Sequence, residues 1–281
     1  MTQNVTEEAG TFYAEAAKNR SDASSYCAPT PDTALAAGYD ATTLSSVPEE
    51  AVSASFGCGD PVSFSKIEPG QTILDLGCGA GLDLVIAAEK TGPEGRVIGV
   101  DASADMLGLA KANAERAGYA DRIDLRQGVI ENLPVEDESI DWVISNCVVN
   151  LSPDKHQVFR EIHRVLKPGG RAIIADLVAD DLPDWVTTHK DLYSACVSGA
   201  VSEQTYVALA QAAGLVTPEV IARMHYDEAM VRHLISCALP LSLDEIAAEL
   251  SLSTEALMDR AGKDLAARIT SVKVQVDKPV Y

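Results

Sequence analysis

The sequence predicts an α/β protein built on a doubly wound, seven-stranded and largely parallel sheet. Short apolar runs typical of buried strands alternate with longer amphipathic runs typical of helices through the middle of the chain. Two of the strand-like runs end next to an aspartate, and the first of them leads into a glycine-rich turn. Ligands of such sheets bind outside the carboxyl ends of the strands, so a site is expected at these turns.

The first strand, turn and helix give the strongest local signal. An apolar run over 71–76 contains Asp75, a Gly-Cys-Gly-Ala-Gly turn follows, and a helix is expected over 82–90. Glycines let the backbone take positive φ and let a ligand lie against main-chain amides. A second strand over 95–100 closes on Asp101, which is placed to accept the hydroxyl groups of a ribose. Together these elements predict a nucleoside-binding unit.

The remaining elements follow in the same alternation. Beyond the unit just described, the pattern predicts a helix over 103–117, strands over 122–127 and 139–146 around a loop at 128–134, a helix over 154–166, a strand over 171–177, a helix over 202–213, and final strands over 216–225 and 268–277. The Lys-Pro-Gly-Gly segment at 167–170 is a helix stop signal.

Three parts of the chain are expected. They are an N-terminal cap with a thiol-bearing loop over 1–61, a nucleoside-binding core over 62–178, and a substrate-side segment over 179–281. Within the last part, residues 227–267 are rich in helix formers and predict an inserted helical hairpin. The hairpin is expected to cap a pocket or to make a dimer contact.

Composition narrows the classes of function. The chain has 281 residues, of which 47% are hydrophobic, and 42 acidic against 22 basic side chains give a formal charge of −20. That charge repels phosphate backbones and anionic lipids, so neither a nucleic-acid partner nor a membrane partner is expected. The N-terminal residues lack the basic start and apolar run of a secretory signal. We therefore expect a cytoplasmic protein with reduced thiols. The protein is expected to be a monomer or a homodimer.

The six cysteines are scattered, and no C-x-x-C pair predicts a zinc ribbon. In a doubly wound sheet, however, Cys147 after the fourth strand and Cys196 after the fifth emerge on the ligand side. The glycine-flanked loop that carries Cys58 can fold over the same rim. Three thiols are therefore expected to converge at the site, whereas Cys78 inside the glycine turn is expected to be a packing residue.

The glycine turn and its two acids resemble the first motifs of class I S-adenosylmethionine methyltransferases. Leu82 stands where a dinucleotide-binding turn needs its third glycine, and Asp75 suits a ligand with an ammonium group. The resemblance implies a Rossmann-like core with S-adenosylmethionine as cofactor. Met106 either packs on the adenine or belongs to the core of its own helix. The residues implied in cofactor binding are Asp75, Gly77, Gly79, Gly81, Asp101, Ala102, Met106, Ile130, Glu131 and Asn146.

Three separate segments resemble signatures of arsenite methyltransferases, within a likeness that covers about residues 41–214. The segments are Phe56–Pro61, Ser145–Lys155 and Cys196–Ala200. The resemblance implies that Cys58, Cys147 and Cys196 bind trivalent arsenic, and that the substrate is arsenite or its thiol conjugates. Thiolates are soft ligands and suit a soft centre.

Methyl transfer to arsenic removes no proton from it, so no general base is demanded, but it oxidises arsenic by two electrons. A disulfide among Cys27, Cys58 and neighbouring thiols can return those electrons, and thioredoxin or a small thiol would reset it. Cys27 is the predicted relay thiol, and Cys237 is expected to fill core. Two alternatives stay open: a small-molecule C- or O-methyltransferase, which needs a base near Asn146 or Asn150, and a non-enzymatic sensor of arsenite.

Overall fold

The computed structural model describes Tyr13 and residues 31–187, 196–238 and 243–280. A seven-stranded sheet runs through them in the order β3-β2-β1-β4-β5-β7-β6. The first five strands pair in parallel, and β7 runs antiparallel to β5 and β6. The predicted fold class is therefore confirmed. The strands are β1 Thr72–Leu76, β2 Arg96–Asp101, β3 Ile123–Gln127, β4 Ile140–Asn146, β5 Leu166–Ala179, β6 Val216–His225 and β7 Ile269–Asp277.

Helices pack on both faces of this sheet, and several begin at a side chain that caps them. Ser103, Asp154 and Ser202 each accept a hydrogen bond from a backbone N–H of the first turn. The helices are α1 Pro31–Ala36, α2 Ala41–Ser45, α3 Glu49–Val52, α4 Pro61–Phe64, α5 Leu82–Thr91, α6 Ala104–Arg116, α7 Lys155–Val165, α8 Asp184–Thr187, α9 Glu203–Ala212, α10 Glu228–Ala238, α11 Leu243–Glu249 and α12 Thr254–Leu265, with a 3-10 turn at Val149–Leu151.

Two apolar cores lie on the two faces of the sheet. Successive strand residues point to opposite faces, so Leu74 packs with α7 and α9 in one core, and Ile73 packs with α5 in the other. Phe159 of α7 and Tyr206 of α9 meet edge to face with ring centroids 5.3 Å apart. Both faces of β1 are therefore covered, as a central parallel strand requires.

A third apolar cluster joins the C-terminal helices to the edge of the sheet where the predicted thiols lie. It contains Cys58, Cys147 and Cys196 together with residues of α10, α11 and α12 such as Val231 and Leu257. The sequence predicted a helical hairpin in this insertion, and its described residues form three helical segments, α10, α11 and α12. The break before α12 comes where Ser251 takes a left-handed backbone (φ 56°).

Strand β5 also differs from its prediction. Residues 167–170 were expected to stop a helix, and α7 does end at Val165, but β5 begins at Leu166 and not at the predicted Arg171. The backbone of Gly169 donates to the carbonyl of Lys278 (3.0 Å), and Lys278 donates to the carbonyl of Gly170 (2.8 Å). These bonds to the end of the chain hold the Pro-Gly-Gly segment as an extension of the strand.

Within the described part of the chain, no helix has the length and apolar character needed to cross a membrane.

Candidate functional site

A cleft of about 1040 Å³, partly open to solvent, lies at the carboxyl ends of β1, β2 and β4. This is the edge of the sheet where a doubly wound fold places its ligand. The glycine turn after β1 forms its floor. Its walls come from segments before β1, after β2, after β3 and after β4. Of the residues predicted to bind cofactor, the cleft is lined by Asp75, Gly77, Gly79, Asp101, Ala102, Met106, Ile130, Glu131 and Asn146.

The glycine turn is shaped by left-handed backbone and by close packing. Gly77 and Gly79 have φ of 63° and 53°, which glycine adopts without steric cost. A Cβ at Gly77 would collide with the side chain of Val148. The third predicted glycine, Gly81, is the N-cap of α5 with φ 91° and does not line the cleft. Its Cβ would meet Ala110 of α6 at 3.3 Å, so Gly81 serves close helix packing.

Three carboxylates converge on the cleft floor without a cation to balance them. Asp75, Asp83 and Asp101 form no ion pair with any described residue. Burial raises the pKa of all three, and Asp83 and Asp101 raise the pKa of Asp75 further. Burial is the main cause that brings the pKa of Asp83 to about 7. Such a floor favours a cationic ligand, because a positive charge offsets the cost of burying the carboxylates.

Asp101 also organises the turn beneath it. Its carboxylate accepts from the backbone N–H of Gly79 at 2.9 Å and from that of Ser103 at 2.8 Å. Asp101 therefore ties the glycine turn to the end of β2, and its carboxylate can accept further hydrogen bonds from a ligand in the cleft.

Asn146, the last residue of β4, ties the loop that carries Cys58 to the cleft floor. Its Oδ1 accepts from the backbone N–H of Cys58 (3.0 Å) and of Gly59 (3.2 Å). Its Nδ2 donates to the carbonyl of Gly59 at 2.6 Å, to the hydroxyl of Tyr39 at 2.8 Å and to Asp83 at 3.1 Å. A Cβ at the preceding glycine of the loop would overlap the Asn146 side chain. The loop therefore has room for glycine alone beside this amide.

The three predicted thiols come together at this edge of the sheet. Cys58 and Cys147 form a disulfide with Cα atoms 6.0 Å apart, although they are 89 residues apart in sequence. Cys196 is a free, buried thiol that donates to the carbonyl of Cys147 at 3.1 Å. Cys147 itself lines the cleft, next to Val148. Cys27 and the side chain of Cys237 lie outside the described residues.

Two of these cysteines hold a backbone conformation that side chains rarely adopt. Cys147 has φ 55° and Cys196 has φ 59°. A left-handed non-glycine residue costs on the order of 1–3 kcal/mol and persists where the surroundings over-determine it. In Cys147 the backbone N–H is held by the carbonyl of Ala175 at 2.9 Å.

Asp176 is a fourth buried group beside the thiols. One of its carboxylate oxygens and the sulfurs of Cys58 and Cys147 lie within 4.8 Å of one another. The carboxylate accepts from the backbone N–H of Asn150 (3.1 Å), from Asn150 Nδ2 (2.8 Å) and from the Tyr206 hydroxyl (3.2 Å). Burial raises its pKa to about 6, against these hydrogen bonds. Burial of Cys196, together with the charge of Asp176, raises the pKa of the Cys196 thiol well above its usual range.

Aromatic groups close the cleft on the side of the N-terminal segment. Tyr13 and Phe56 both line it, with ring centroids 5.1 Å apart in an edge-to-face contact. The Tyr13 hydroxyl lies 3.8 Å from the sulfur of Cys196. Tyr13 therefore lines the cleft and also contacts the thiol of Cys196.

The sequence reasoning missed Asp83, Tyr39, Tyr13 and Asp176. For Asp176 a signal existed, because an acid inside the apolar run Ala-Ile-Ile-Ala-Asp-Leu is a buried charge in a strand. Asp83 carried a weaker one, since acids in the first turn of a helix are common for reasons of the helix dipole alone. Cys78, predicted to be a packing residue, is buried but also lines the cleft.

Comparison with known proteins assigns the fold to a family. A family profile described as a methyltransferase domain matches residues 67–214, more than half of the chain. The chain belongs to this methyltransferase family. The region matched runs from just before β1 to the end of α9, so it contains the glycine turn and both of the cysteines that follow β4 and β5.

Curated relatives of this methyltransferase confirm the resemblance found in its sequence. It is 44% identical over 184 residues to an arsenite methyltransferase of Halobacterium salinarum, covering 65% of this chain and 46% of that protein. It is 35% identical over 187 residues to an arsenite methyltransferase of Homo sapiens, covering 63% of this chain and 49% of that protein. The chain thus spans about half the length of the curated relatives it matches.

A solved structure is similar over more of the chain. An arsenic(III) S-adenosylmethionine methyltransferase from Chlamydomonas reinhardtii is 28% identical, with a TM-score of 0.62, and the match covers 90% of this chain and 75% of that one. The chain therefore shares its architecture with the Chlamydomonas protein beyond the region that the family profile matches.

Proposed function

We propose that the protein transfers methyl groups from S-adenosylmethionine to trivalent arsenic held by the thiolates of Cys58, Cys147 and Cys196. The observation that carries the proposal is the convergence of these three cysteines, from three distant segments, beside a cleft with an acidic floor. The similarity to arsenite methyltransferases of other organisms supports the choice of substrate.

The residues of the cleft fit S-adenosylmethionine. Asp75 and Asp83 face a position where an ammonium group would be stabilised, and Asp101 can accept from ribose hydroxyls. Met106 and Ile130, both buried at the cleft wall, offer apolar surface to an adenine. When bound, this cofactor supplies the electrophilic methyl group that the arsenic lone pair takes.

The chain's own contribution is to hold and orient the arsenic. Three As–S bonds replace three As–O bonds, and the three hydroxyls of arsenite leave as water with the three thiol protons. The apolar cluster from α10, α11 and α12 covers the thiols and excludes bulk water. Alignment of reacting groups in a dry site accounts for much of the rate of such transfers.

The disulfide fits the electron balance of the reaction. Methylation oxidises arsenic(III) to arsenic(V), and oxidation of two thiols to one disulfide returns two electrons to it. The Cys58–Cys147 pair is joined in this way in the structure. Thioredoxin or a small cellular thiol then regenerates the thiols by exchange. The predicted relay through Cys27 stays a prediction, since Cys27 lies outside the described residues.

The test uses purified protein with arsenite, S-adenosylmethionine and a thiol reductant, with products identified by mass spectrometry. Methylated arsenic is expected from the unaltered chain, and loss of at least about a hundredfold in rate from Cys58→Ser, Cys147→Ser and Cys196→Ser singly. Cys237→Ser is the matched control, because the sequence places this thiol outside the set. Tight arsenite binding without methylated product would indicate the sensor instead.

A second candidate is methyl transfer to a small organic acceptor. The requirement for a base near Asn146 or Asn150 is met, since Asp83 contacts the first and Asp176 the second. Under this alternative the three serine variants retain activity on the organic acceptor. The same variants therefore separate the two functions.

A further inference from the structure

The cluster of Cys58, Cys147 and Asp176 has a donor set that differs from the one proposed for arsenic. Its two sulfurs and one carboxylate oxygen are buried and lie within 4.8 Å of one another. Cys196 is outside this close group, and its thiol is engaged with the carbonyl of Cys147. A phosphine reductant would open the disulfide, with one phosphine oxidised for each pair of thiols formed, and would make both sulfurs available.

Asp176 is held rigidly for a role as ligand. It lies near the carboxyl end of β5, opposite Val272 of β7. Its oxygens accept from the backbone N–H of Asn150 and Leu177 and from the Asn150 amide, at 2.8 to 3.1 Å. The described residues give Asp176 no salt bridge, and the positive charge of Lys155 acts on it from beyond salt-bridge distance, lowering its pKa against the effect of burial.

Asn150 leaves a polar atom unused beside the cluster. Its Nδ2 donates both to Asp176 and to the carbonyl of Leu177, while its Oδ1 is buried and has no hydrogen-bond partner among the described residues. Buried acceptors are almost always paired with protein or ordered water. An unpaired buried acceptor next to a carboxylate without a salt bridge supports a site that takes a ligand.

We propose that, once the disulfide is reduced, Cys58, Cys147 and Asp176 bind a divalent cation of the zinc and cadmium class. Zinc takes thiolate sulfur at about 2.3 Å and carboxylate oxygen at about 2.0–2.2 Å, so tetrahedral ligand atoms lie about 3.5–3.8 Å apart. The two sulfurs are bonded to each other in the disulfide and must separate to that spacing on reduction, whereas an oxygen of Asp176 already lies within 4.8 Å of both. A carboxylate suits such a borderline cation, whereas trivalent arsenic takes a third sulfur instead. Binding releases the two thiol protons to solvent and moves no electrons.

The bound cation occupies two of the three thiols proposed for arsenic. It therefore acts as a competitive inhibitor of arsenite methylation, a consequence that rests on the proposed function. Cation binding itself does not rest on it. A third thiolate for arsenic and a carboxylate for the divalent ion make the two ligand sets separable by substitution.

The experiment titrates the phosphine-reduced full chain with cadmium and follows the ultraviolet thiolate-to-cadmium charge-transfer band. One cadmium per chain is expected. Asp176→Asn is expected to weaken cadmium binding at least about tenfold and to leave arsenite binding in place. Cys196→Ser is expected to do the reverse. Cadmium binding that is lost in Cys196→Ser and unchanged in Asp176→Asn would overturn the proposal, as would no binding to the unaltered chain.

A measurement on the unaltered chain covers the case in which Asp176→Asn does not fold. X-ray absorption at the zinc edge counts the sulfur neighbours of zinc bound to the reduced protein. Two sulfurs with two lighter ligands are expected. Three sulfurs would mean that zinc uses the arsenic set, which overturns the inference while leaving the proposed function standing.

Discussion

The two halves of the site are built in different ways. The cofactor half is local: the glycine turn, Asp75 and Asp83 come from a single stretch of chain, and Asp101 ends the next strand. The thiol half is assembled from Cys58, Cys147 and Cys196, which meet only because the sheet and a cap bring them together. A local half can be read from a motif, whereas an assembled half depends on every contact that holds its segments in place.

Asn146 connects the two halves of the site, and removing its side chain is expected to have the largest effect. Asn146→Ala leaves the buried N–H groups of Cys58 and Gly59 without an acceptor, at about 1–3 kcal/mol for each unsatisfied group. The free energy of unfolding in urea is expected to fall by about 2–4 kcal/mol. Arsenite methylation should fall further than cofactor binding, because the Cys58 loop loses its anchor.

Asn113→Ala is the matched control for that change. Asn113 is also buried, but its Nδ2 donates a single bond, at 2.9 Å to the carbonyl of Ala80, and its Oδ1 accepts from Arg116 at 3.2 Å. A loss of about 1 kcal/mol is expected. Equal losses for the two variants would show that Asn146 is an ordinary buried amide and that other contacts position the thiol loop.

Asp101→Asn tests the independence of the cofactor half. The substitution keeps the shape of the side chain and removes a charged acceptor, which is worth about 1.5–3 kcal/mol in a hydrogen bond. Affinity for S-adenosylmethionine, measured by calorimetry, is expected to fall about tenfold to a hundredfold, with arsenite binding unchanged. Asp105→Asn removes the same charge from an exposed position on α6 and should change neither. A parallel loss of arsenite binding would show that the halves are coupled.

The smallest expected effect is a pH dependence of stability that comes from Asp83 in the cofactor half of the site. The pKa of Asp83 is raised from 3.8 to about 7 in the folded protein. Between these two pH values the folded state therefore keeps a proton that the unfolded state has lost. The contribution of Asp83 to stability is complete below pH 3.8 and is lost as the pH rises toward 7. Thermal unfolding without cofactor should therefore occur at lower temperature at pH 7 than at pH 5. Asp83→Asn should flatten that dependence, and an unchanged slope would assign it to the net charge of −20 instead.

The sheet was predictable from the sequence because each strand has its own local signal, a short apolar run. The limits of β6 agree with their prediction, and those of β1 and β7 differ by one residue. The start of β5 was wrong because the bonds that extend it reach Lys278, more than a hundred residues away. The described residues of the insertion form three helical segments, one more than the predicted hairpin has.

The site was predictable to the extent that it follows from strand ends. Cys147 and Cys196 follow β4 and β5, and the direction of parallel strands places both at one edge. The pairing of Cys58 with Cys147, and the place of Asp176 between β7 and the 3-10 turn, depend on side-chain contacts that no local pattern reports. The networks around Asn146 and Asp176 could only be seen once the segments were packed.

The left-handed backbone at Cys147 and Cys196 limits how this protein can be made more robust. Replacement by glycine is the substitution that relieves the conformation at such positions. Here that substitution would delete the sulfur atoms. Engineering for heat tolerance must therefore work elsewhere in the chain, and a variant selected for durability alone would be expected to drift toward an inert scaffold at these two residues.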